Sequence, residues 1–153
     1  MKTARKEETT LDLLVHEGLL DAASAAQVAA RARDLGESLS EAAVGAGLVT
    51  EKDIAKTLCK HLSLPYLDVT RYFVKREVFE IMPAEFWGKN RVLPLDRIGE
   101  ILIVGTCEVL PASVLEEIEA AANCKVRVYI STPVAVAQAM RTLKEQLQAK
   151  TRA

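Results

Sequence analysis

A ten-residue segment with a glycine near its end occurs twice in the first third of the chain, and this repeat constrains the fold more than any other feature. Residues 11–20 read LDLLVHEGLL and residues 40–49 read SEAAVGAGLV, so that Gly18 aligns with Gly47. Each copy is typical of a short helix that ends at its glycine, because glycine adopts the left-handed conformation after a helix without steric cost.

A second helix is predicted to follow each glycine. Asp21 and Thr50 are the N-cap candidates, since their side-chain oxygens can accept hydrogen bonds from the free amides of a first helical turn. The sequence TEKD, which begins at Thr50, also has the spacing of a capping box. The predicted helices span residues 22–34 and 51–62. Residues 9–64 are therefore expected to form four short helices, built from a tandem helix-Gly-helix unit.

Beyond Pro65 the pattern changes to short β-rich runs separated by helices. The predicted strands cover residues 66–69, 91–95, 101–106 and 125–130. Residues 96–100 are predicted to be the loop of a hairpin. Short helices are predicted at residues 78–82 and after three prolines, each at the first helical position: Pro83, Pro111 and Pro133. The expected fold class is α+β, with helices covering a small mixed sheet over residues 65–148.

The boundary between the two subdomains is predicted at Leu64 and Pro65, because the residue before a proline avoids the helical conformation. Few residues are expected to cross this boundary, so the relative orientation of the subdomains should adapt to a partner. Residues 1–8 are predicted to be a flexible tail and residues 149–153 a second tail.

Composition narrows the classes of function. The chain has 20 Lys and Arg against 21 Asp and Glu, and the formal net charge of -1 gives no field that would attract nucleic acid. No stretch approaches the roughly 20 apolar residues of a membrane-spanning helix. The first ten residues also lack the apolar segment of a signal peptide. We therefore expect a cytoplasmic protein that neither binds nucleic acid nor inserts into a membrane.

The sequence offers no pattern for catalysis. It contains neither the GxxxxGK[ST] loop of nucleotide hydrolases nor a GxGxxG loop. The run HEGLL begins like a zinc-protease helix, but Leu20 stands where the second histidine is needed. His16 and His61 are interpreted as residues at the polar edge of helices. No catalytic, metal or cofactor site is predicted.

Three cysteines and one tryptophan are interpreted as packing residues. Cys59, Cys107 and Cys124 form no CxxC pair and are predicted to be small buried fillers rather than disulfide or zinc ligands. Trp87 is predicted to lie in the core, because large aromatic side chains bury most of their area. An exposed anchor for a partner is the alternative.

Several motifs, taken in order, resemble a known family. The repeat is followed by LSLPYLD at 62–68, IMP at 81–83, VLPL at 92–95 and ILIV at 101–104. Across residues 9–145 this order resembles the N-terminal domain of the ATPases that power type II secretion and type IV pilus assembly. The resemblance implies a non-catalytic module that links a motor ATPase to the cytoplasmic part of an inner-membrane platform protein. It fits either a fragment of such an ATPase or a stand-alone relative that acts in trans.

One branch of that family binds cyclic di-GMP through the tandem repeats, so a sensor domain is the alternative function. In that branch each repeat begins with Arg-Leu-Gly and ends with Gln. The corresponding positions here are residues 9–11 and 38–40 at the openings and Ala32 and His61 at the ends, and only Leu39 agrees. Weak or absent binding of cyclic di-GMP is therefore expected. The repeat positions predicted to contact a ligand or a partner are Leu11, Gly18, Ser38, Leu39, Ser40, Gly47 and His61.

Overall fold

The computed structural model describes residues 8–152, with side chains for residues 8–148. In this range the elements follow the order α1 (Thr10–His16), α2 (Ala22–Leu35), α3 (Leu39–Gly45), α4 (Glu51–Leu62), α5 (Arg76–Phe79), α6 (Ala84–Asn90), β1 (Val92–Ile98), β2 (Ile101–Thr106), α7 (Ala112–Ala122), β3 (Lys125–Ile130) and α8 (Pro133–Arg152). The fold is α+β, as predicted. The predicted tail at residues 1–8 lies outside the described residues except for Glu8.

All four predicted helices of the repeat are present, and each begins with a side-chain cap. The capping oxygens belong to Thr9, Asp21, Ser38 and Thr50, each of which accepts a hydrogen bond from the backbone N–H three residues later. Thr50 and Asp53 form the predicted capping box, with bonds of 3.0 and 3.1 Å. Local sequence alone therefore sets where these helices start.

The two repeat glycines end α1 and α3 in the same way. Gly18 has φ +75° and Gly47 has φ +76°, so both lie in the left-handed region as predicted. We call the turns at Gly18 and Gly47 the first and second corners. At the first corner the N–H of Gly18 donates to the carbonyl of Val15, and the N–H of Leu19 donates to that of Leu14, both at 3.0 Å. The second corner repeats this pair of bonds, and the pattern is that of a Schellman motif.

Replacing Gly47 by valine should lower the free energy of unfolding by more than about 1 kcal/mol, because a β-branched residue is strained in the left-handed region. Gly88→Ala is the matched control. Gly88 lies inside α6 and an added Cβ there meets no atom within 4 Å, so alanine should stabilise the helix by up to about 1 kcal/mol. Chemical denaturation followed by circular dichroism measures both changes. An unchanged midpoint for Gly47→Val would contradict the role of this corner.

The sheet is mixed, as predicted, and has the order β1-β2-β3. β1 pairs antiparallel with β2, and β2 pairs parallel with β3. Between the parallel strands lies α7, which supplies the crossover that a parallel pair requires.

The predicted loop of the hairpin was too long. β1 continues to Ile98 and only residues 99–100 form the turn. A bulge between Pro94 and Asp96 shifts the register and lets pairing continue, while Gly99 closes the turn with φ +60°.

The strand predicted at residues 66–69 is wrong. Only Tyr66 forms a bridge, to Ile130, and Val69–Arg71 is a 3-10 turn. Asp68 explains the difference, because its carboxylate accepts hydrogen bonds from the N–H and the hydroxyl of Thr70 at 3.0 and 2.6 Å. Such a local side-chain bond competes with a strand.

Helix starts and ends in the second half differ from prediction by small shifts. The helix predicted at residues 78–82 is α5, four residues long. Pro83 and Pro111 are N-cap residues rather than first helical residues, whereas Pro133 begins α8 as predicted. Proline suits both positions, since neither N–H has an acceptor within the helix.

The tail predicted at residues 149–153 is helical as far as Arg152. No glycine or proline follows Pro133, so nothing in the sequence stops α8.

The helical subdomain and the sheet subdomain are closely joined, so the expectation of a sparse boundary is wrong. Ile130, at the end of β3, is fully buried among the side chains of the helical core. Arg91 forms an ion pair with Glu41, with 2.6 Å between Nε and Oε1, and also donates to the carbonyl of Gly36. The division of the chain at residues 64 and 65 stays a prediction.

Trp87 is fully buried in the core of the sheet subdomain, as predicted. Its indole N–H donates to the carbonyl of Phe79 at 2.8 Å, which satisfies the one polar atom of the side chain. Cys107 is also buried, while Cys59 and Cys124 are half-buried. Burial raises the pKa of the Cys107 thiol well above its usual value, which keeps it protonated and unreactive.

Candidate functional site

The openings of both repeats meet at one carboxylate, that of Glu108, which lies two residues beyond β2. The hydroxyl of Thr10 donates to Glu108 Oε2, and the backbone N–H of Ser40 donates to Glu108 Oε1 at 2.7 Å. The Ser40 hydroxyl donates to the carbonyl of Cys107 at 2.6 Å. Glu108 therefore ties the starts of α1 and α3 to the end of the sheet.

The pKa of Glu108 is raised above its ordinary value because burial disfavours the charged carboxylate. Hydrogen bonds from Thr10 and from the backbone of Ser40, followed by the effect of the Ser38 and Ser40 side chains, act in the opposite direction without cancelling the effect of burial. An acidic side chain therefore fills the space between the repeat openings, and its ionised form would repel an anionic ligand there.

At the other end of α1, Glu17 links the first repeat to the last turn of the second. Glu17 Oε1 lies 2.8 Å from Lys60 Nζ and 2.7 Å from His61 Nε2. The hydrogen bond from Lys60, followed by the contact with His61, lowers the pKa of Glu17. His61, a predicted site residue, thus contacts Glu17, the sequence neighbour of the predicted Gly18.

Apolar residues of the repeat corners are exposed. Val15, Leu19 and Leu48 expose 39, 37 and 41% of their surface. Leu19 and Leu48 are equivalent residues, each directly after the corner glycine. Packing of the helical subdomain accounts for the buried Leu14 and Leu20 but leaves these three side chains in contact with solvent.

The predicted site residues do not form one pocket. Ser38 and Ser40 lie at the opening of α3 beside Glu108, Leu39 is half-buried between them, and Leu11 is buried in the helical core. Gly18 and Gly47 lie at the two corners, at the opposite ends of α1 and α3.

Glu108 was not predicted from the sequence. The available signal was a lone acidic residue between Cys107 and Val109, directly after a buried strand.

A separate groove lies along α4, between that helix and Thr132, the residue before α8, and it has a volume of about 530 Å³. Its lining includes Glu51, Lys52, Ala55, Lys56, Cys59 and Tyr66, and we call it the α4–α8 groove. Glu51 Oε1 accepts a hydrogen bond from the N–H of Val134 at 2.8 Å. Burial is the main cause of a raised pKa at Glu51.

Among residues 8–148, no three His, Cys, Asp or Glu side chains are placed to hold a metal ion. Within the helices that the structure describes, none is both long and apolar enough to cross a membrane.

Comparison with known proteins assigns the family. The model of the MshEN domain matches residues 62–149, which is more than half of the chain. The chain therefore belongs to the MshEN domain family. The match begins at the end of α4, so the tandem repeat lies before it.

Two curated relatives are type IV pilus assembly ATPases named PilB. The one from Thermus thermophilus is 29% identical over 129 residues, which cover 83% of this chain and 14% of that protein. The one from Myxococcus xanthus is 21% identical over 129 residues, covering 84% of this chain and 23% of that protein. The chain thus spans less than a quarter of the length of these relatives.

Two solved structures share the fold over almost their whole length. The N-terminal domain of XpsE has a TM-score of 0.62 at 14% identity, covering 90% of this chain and 97% of that one. MshE, solved with cyclic di-GMP, has a TM-score of 0.58 at 22% identity, covering 91% and 99%. The predicted resemblance to N-terminal domains of type II secretion and type IV pilus ATPases is confirmed.

Proposed function

We propose that this chain is a non-catalytic docking module that binds a protein partner of a type II secretion or type IV pilus-like system. The partner that we propose is the platform protein or the motor ATPase, engaged in the cytoplasm at the inner-membrane face. The observation that carries the proposal is the exposure of Val15, Leu19 and Leu48 at the repeat corners. Contiguous exposed apolar surface marks interaction sites, and we infer that the equivalent Leu19 and Leu48 contribute such a surface at the two corners.

The chemistry of the described residues supports binding rather than catalysis. The carboxylate of Glu108 is bonded to the repeat openings, and that of Glu17 to Lys60 and His61, so both are engaged in holding the helices together. The indole of Trp87 is likewise engaged inside the core. Of these groups, Glu17 lies next to the first corner, directly before Gly18.

Replacing Leu19 and Leu48 together by aspartate should weaken binding to the partner at least tenfold, because the two corners would no longer bury apolar area. Ile98→Asp, at the exposed tip of the β-hairpin, is the matched control and should leave binding unchanged. Surface-immobilised binding of the cytoplasmic part of the host's platform protein, and separately of its motor ATPase, measures the effect. Equal affinity for the double variant and the control would contradict the role of the corners.

A cyclic di-GMP sensor is the second candidate function. It is favoured by the shared fold with MshE, which was solved with that ligand, and by the same exposed corner residues. It is disfavoured by the Glu108 carboxylate at the repeat openings and by the loss of both arginines there. Arginine contacts to a phosphate are charge-assisted bonds of about 1.5 to 3 kcal/mol each.

We therefore expect titration calorimetry at low salt to find a dissociation constant for cyclic di-GMP weaker than about 1 μM. Glu108→Gln should bind no worse than the parent, because it removes the like charge. A tighter constant in the parent protein, abolished by Leu39→Asp in a variant that keeps its melting temperature, would favour the sensor over the docking module.

A further inference from the structure

We propose that the α4–α8 groove is the place where this module holds an amphipathic acidic helix of its partner. The inference rests on the proposed docking function and names the surface and the chemistry of the bound segment. Two features of the groove support it: the pattern of side chains along α4 and the apolar residues at its rim.

The lining of the groove along α4 consists of two parallel rows. Ala55 and Cys59 are four residues apart and form an apolar row, while Lys52 and Lys56, also four apart, form a row of exposed cations. Residues at this spacing lie on one face of a helix. Neither lysine forms an ion pair with another described side chain between residues 8 and 148. A partner helix with one apolar row and one acidic row at the same spacing would therefore complement the apolar row and the lysine row of α4.

Two large side chains extend the apolar surface at the edge of the groove. Tyr66 exposes 53% of its surface within the lining. Val134 exposes 58%, and its N–H bonds to Glu51, which places it beside the groove. Tyrosine is among the residues enriched where partners bury area. Tyr66 therefore adds apolar surface within the groove, and Val134 adds a second exposed apolar side chain next to Glu51.

A fluorescein-labelled synthetic peptide of about 15 residues, long enough to form a helix, provides the probe. In this peptide, leucines occupy one face of the helix, and glutamates spaced at i and i+4 occupy the adjacent face. A second peptide with every glutamate changed to lysine has the same apolar face and the opposite charge. Fluorescence polarisation with the full chain should detect the acidic peptide, and the basic peptide should bind at least tenfold more weakly.

The double variant Lys52→Glu with Lys56→Glu should weaken binding of the acidic peptide at least tenfold and improve binding of the basic one. The control is Lys75→Glu with Lys89→Glu, which makes the same change in charge at exposed residues outside the groove. It should leave both affinities within about twofold, since separated exposed charges are screened. Tyr66→Ser should also weaken the acidic peptide.

The cysteines offer a second readout that reports position. Cys59 lies in the groove and Cys124 lies in the sheet subdomain, and both are half-buried free thiols. Bound acidic peptide should slow alkylation of Cys59 by iodoacetamide and leave that of Cys124 unchanged, as measured by mass spectrometry of the digested protein.

The proposal is overturned if the acidic peptide shows no binding at millimolar protein, or if both double variants behave alike. It is also overturned if cyclic di-GMP or GMP displaces the peptide and loses affinity in Lys52→Glu with Lys56→Glu, since the groove would then be a nucleotide site. Failure of the proposed function is distinguishable. If the platform protein or motor ATPase binds the parent and the groove variants equally, the docking function is supported and the groove is not the binding surface.

Discussion

Trp87→Ala is expected to lower the free energy of unfolding by about 3 to 5 kcal/mol, because it empties a fully buried site in the core of the sheet subdomain. The change also leaves the carbonyl of Phe79 without its 2.8 Å bond. Urea denaturation followed by circular dichroism is the measurement, since Trp87 is the one tryptophan of the chain and its fluorescence is lost in the variant.

Two variants make this result specific. Trp87→Phe keeps most of the apolar volume and loses the N–H, so it should fall between the parent and the alanine variant. Leu35→Ala removes an exposed side chain and should change stability by no more than about 0.5 kcal/mol. A Trp87→Ala protein as stable as Leu35→Ala would show that the core does not depend on this ring.

Glu108→Ala should lower the free energy of unfolding by about 2 to 4 kcal/mol. The N–H of Ser40 and the hydroxyl of Thr10 would lose their acceptor inside the contact between the two subdomains. Glu108→Gln keeps an acceptor at that place and should remain within about 1 kcal/mol of the parent at pH 7. Glu116→Ala, at an exposed position of α7, removes the same charge and should be nearly neutral. A loss in Glu108→Ala no larger than in Glu116→Ala would contradict the role of this carboxylate.

The raised pKa of Glu108 adds a dependence on pH with a definite sign. Between the pKa of the unfolded state and the higher pKa of the folded state, the folded protein binds more protons than the unfolded chain. The stability that this residue contributes is therefore complete at acid pH and falls as pH rises through the folded pKa. The difference in unfolding free energy between the parent and Glu108→Gln should shift against the parent as pH rises above the ordinary glutamate pKa of about 4.3 and through the raised folded pKa. A shift in the opposite direction would show that the hydrogen bonds outweigh burial.

Local interactions made the helical repeat predictable from sequence. The Thr50 and Asp53 capping box and the left-handed glycines depend on residues within three or four positions of each other, so their patterns are complete in a short segment. The periodicity of β3 and the proline at the start of α8 are likewise local. The strand expected at residues 66–69 failed because Asp68 made an equally local bond that the strand pattern does not contain.

What the sequence by itself determined was the family resemblance, the fold class and the beginnings and ends of the repeat helices. The tertiary structure decided which of those residues meet. Glu108 bonds to Ser40 across 68 positions and to Thr10 across 98. The α4–α8 groove likewise depends on distant residues, since Tyr66 and Thr132 line it beside α4 and the N–H of Val134 bonds to Glu51 across 83 positions. The exposure of Leu19 and Leu48 likewise depends on which helices cover them. Such contacts follow from the packing of the whole chain, because the entropy of closing long loops is offset only when many distant contacts form together.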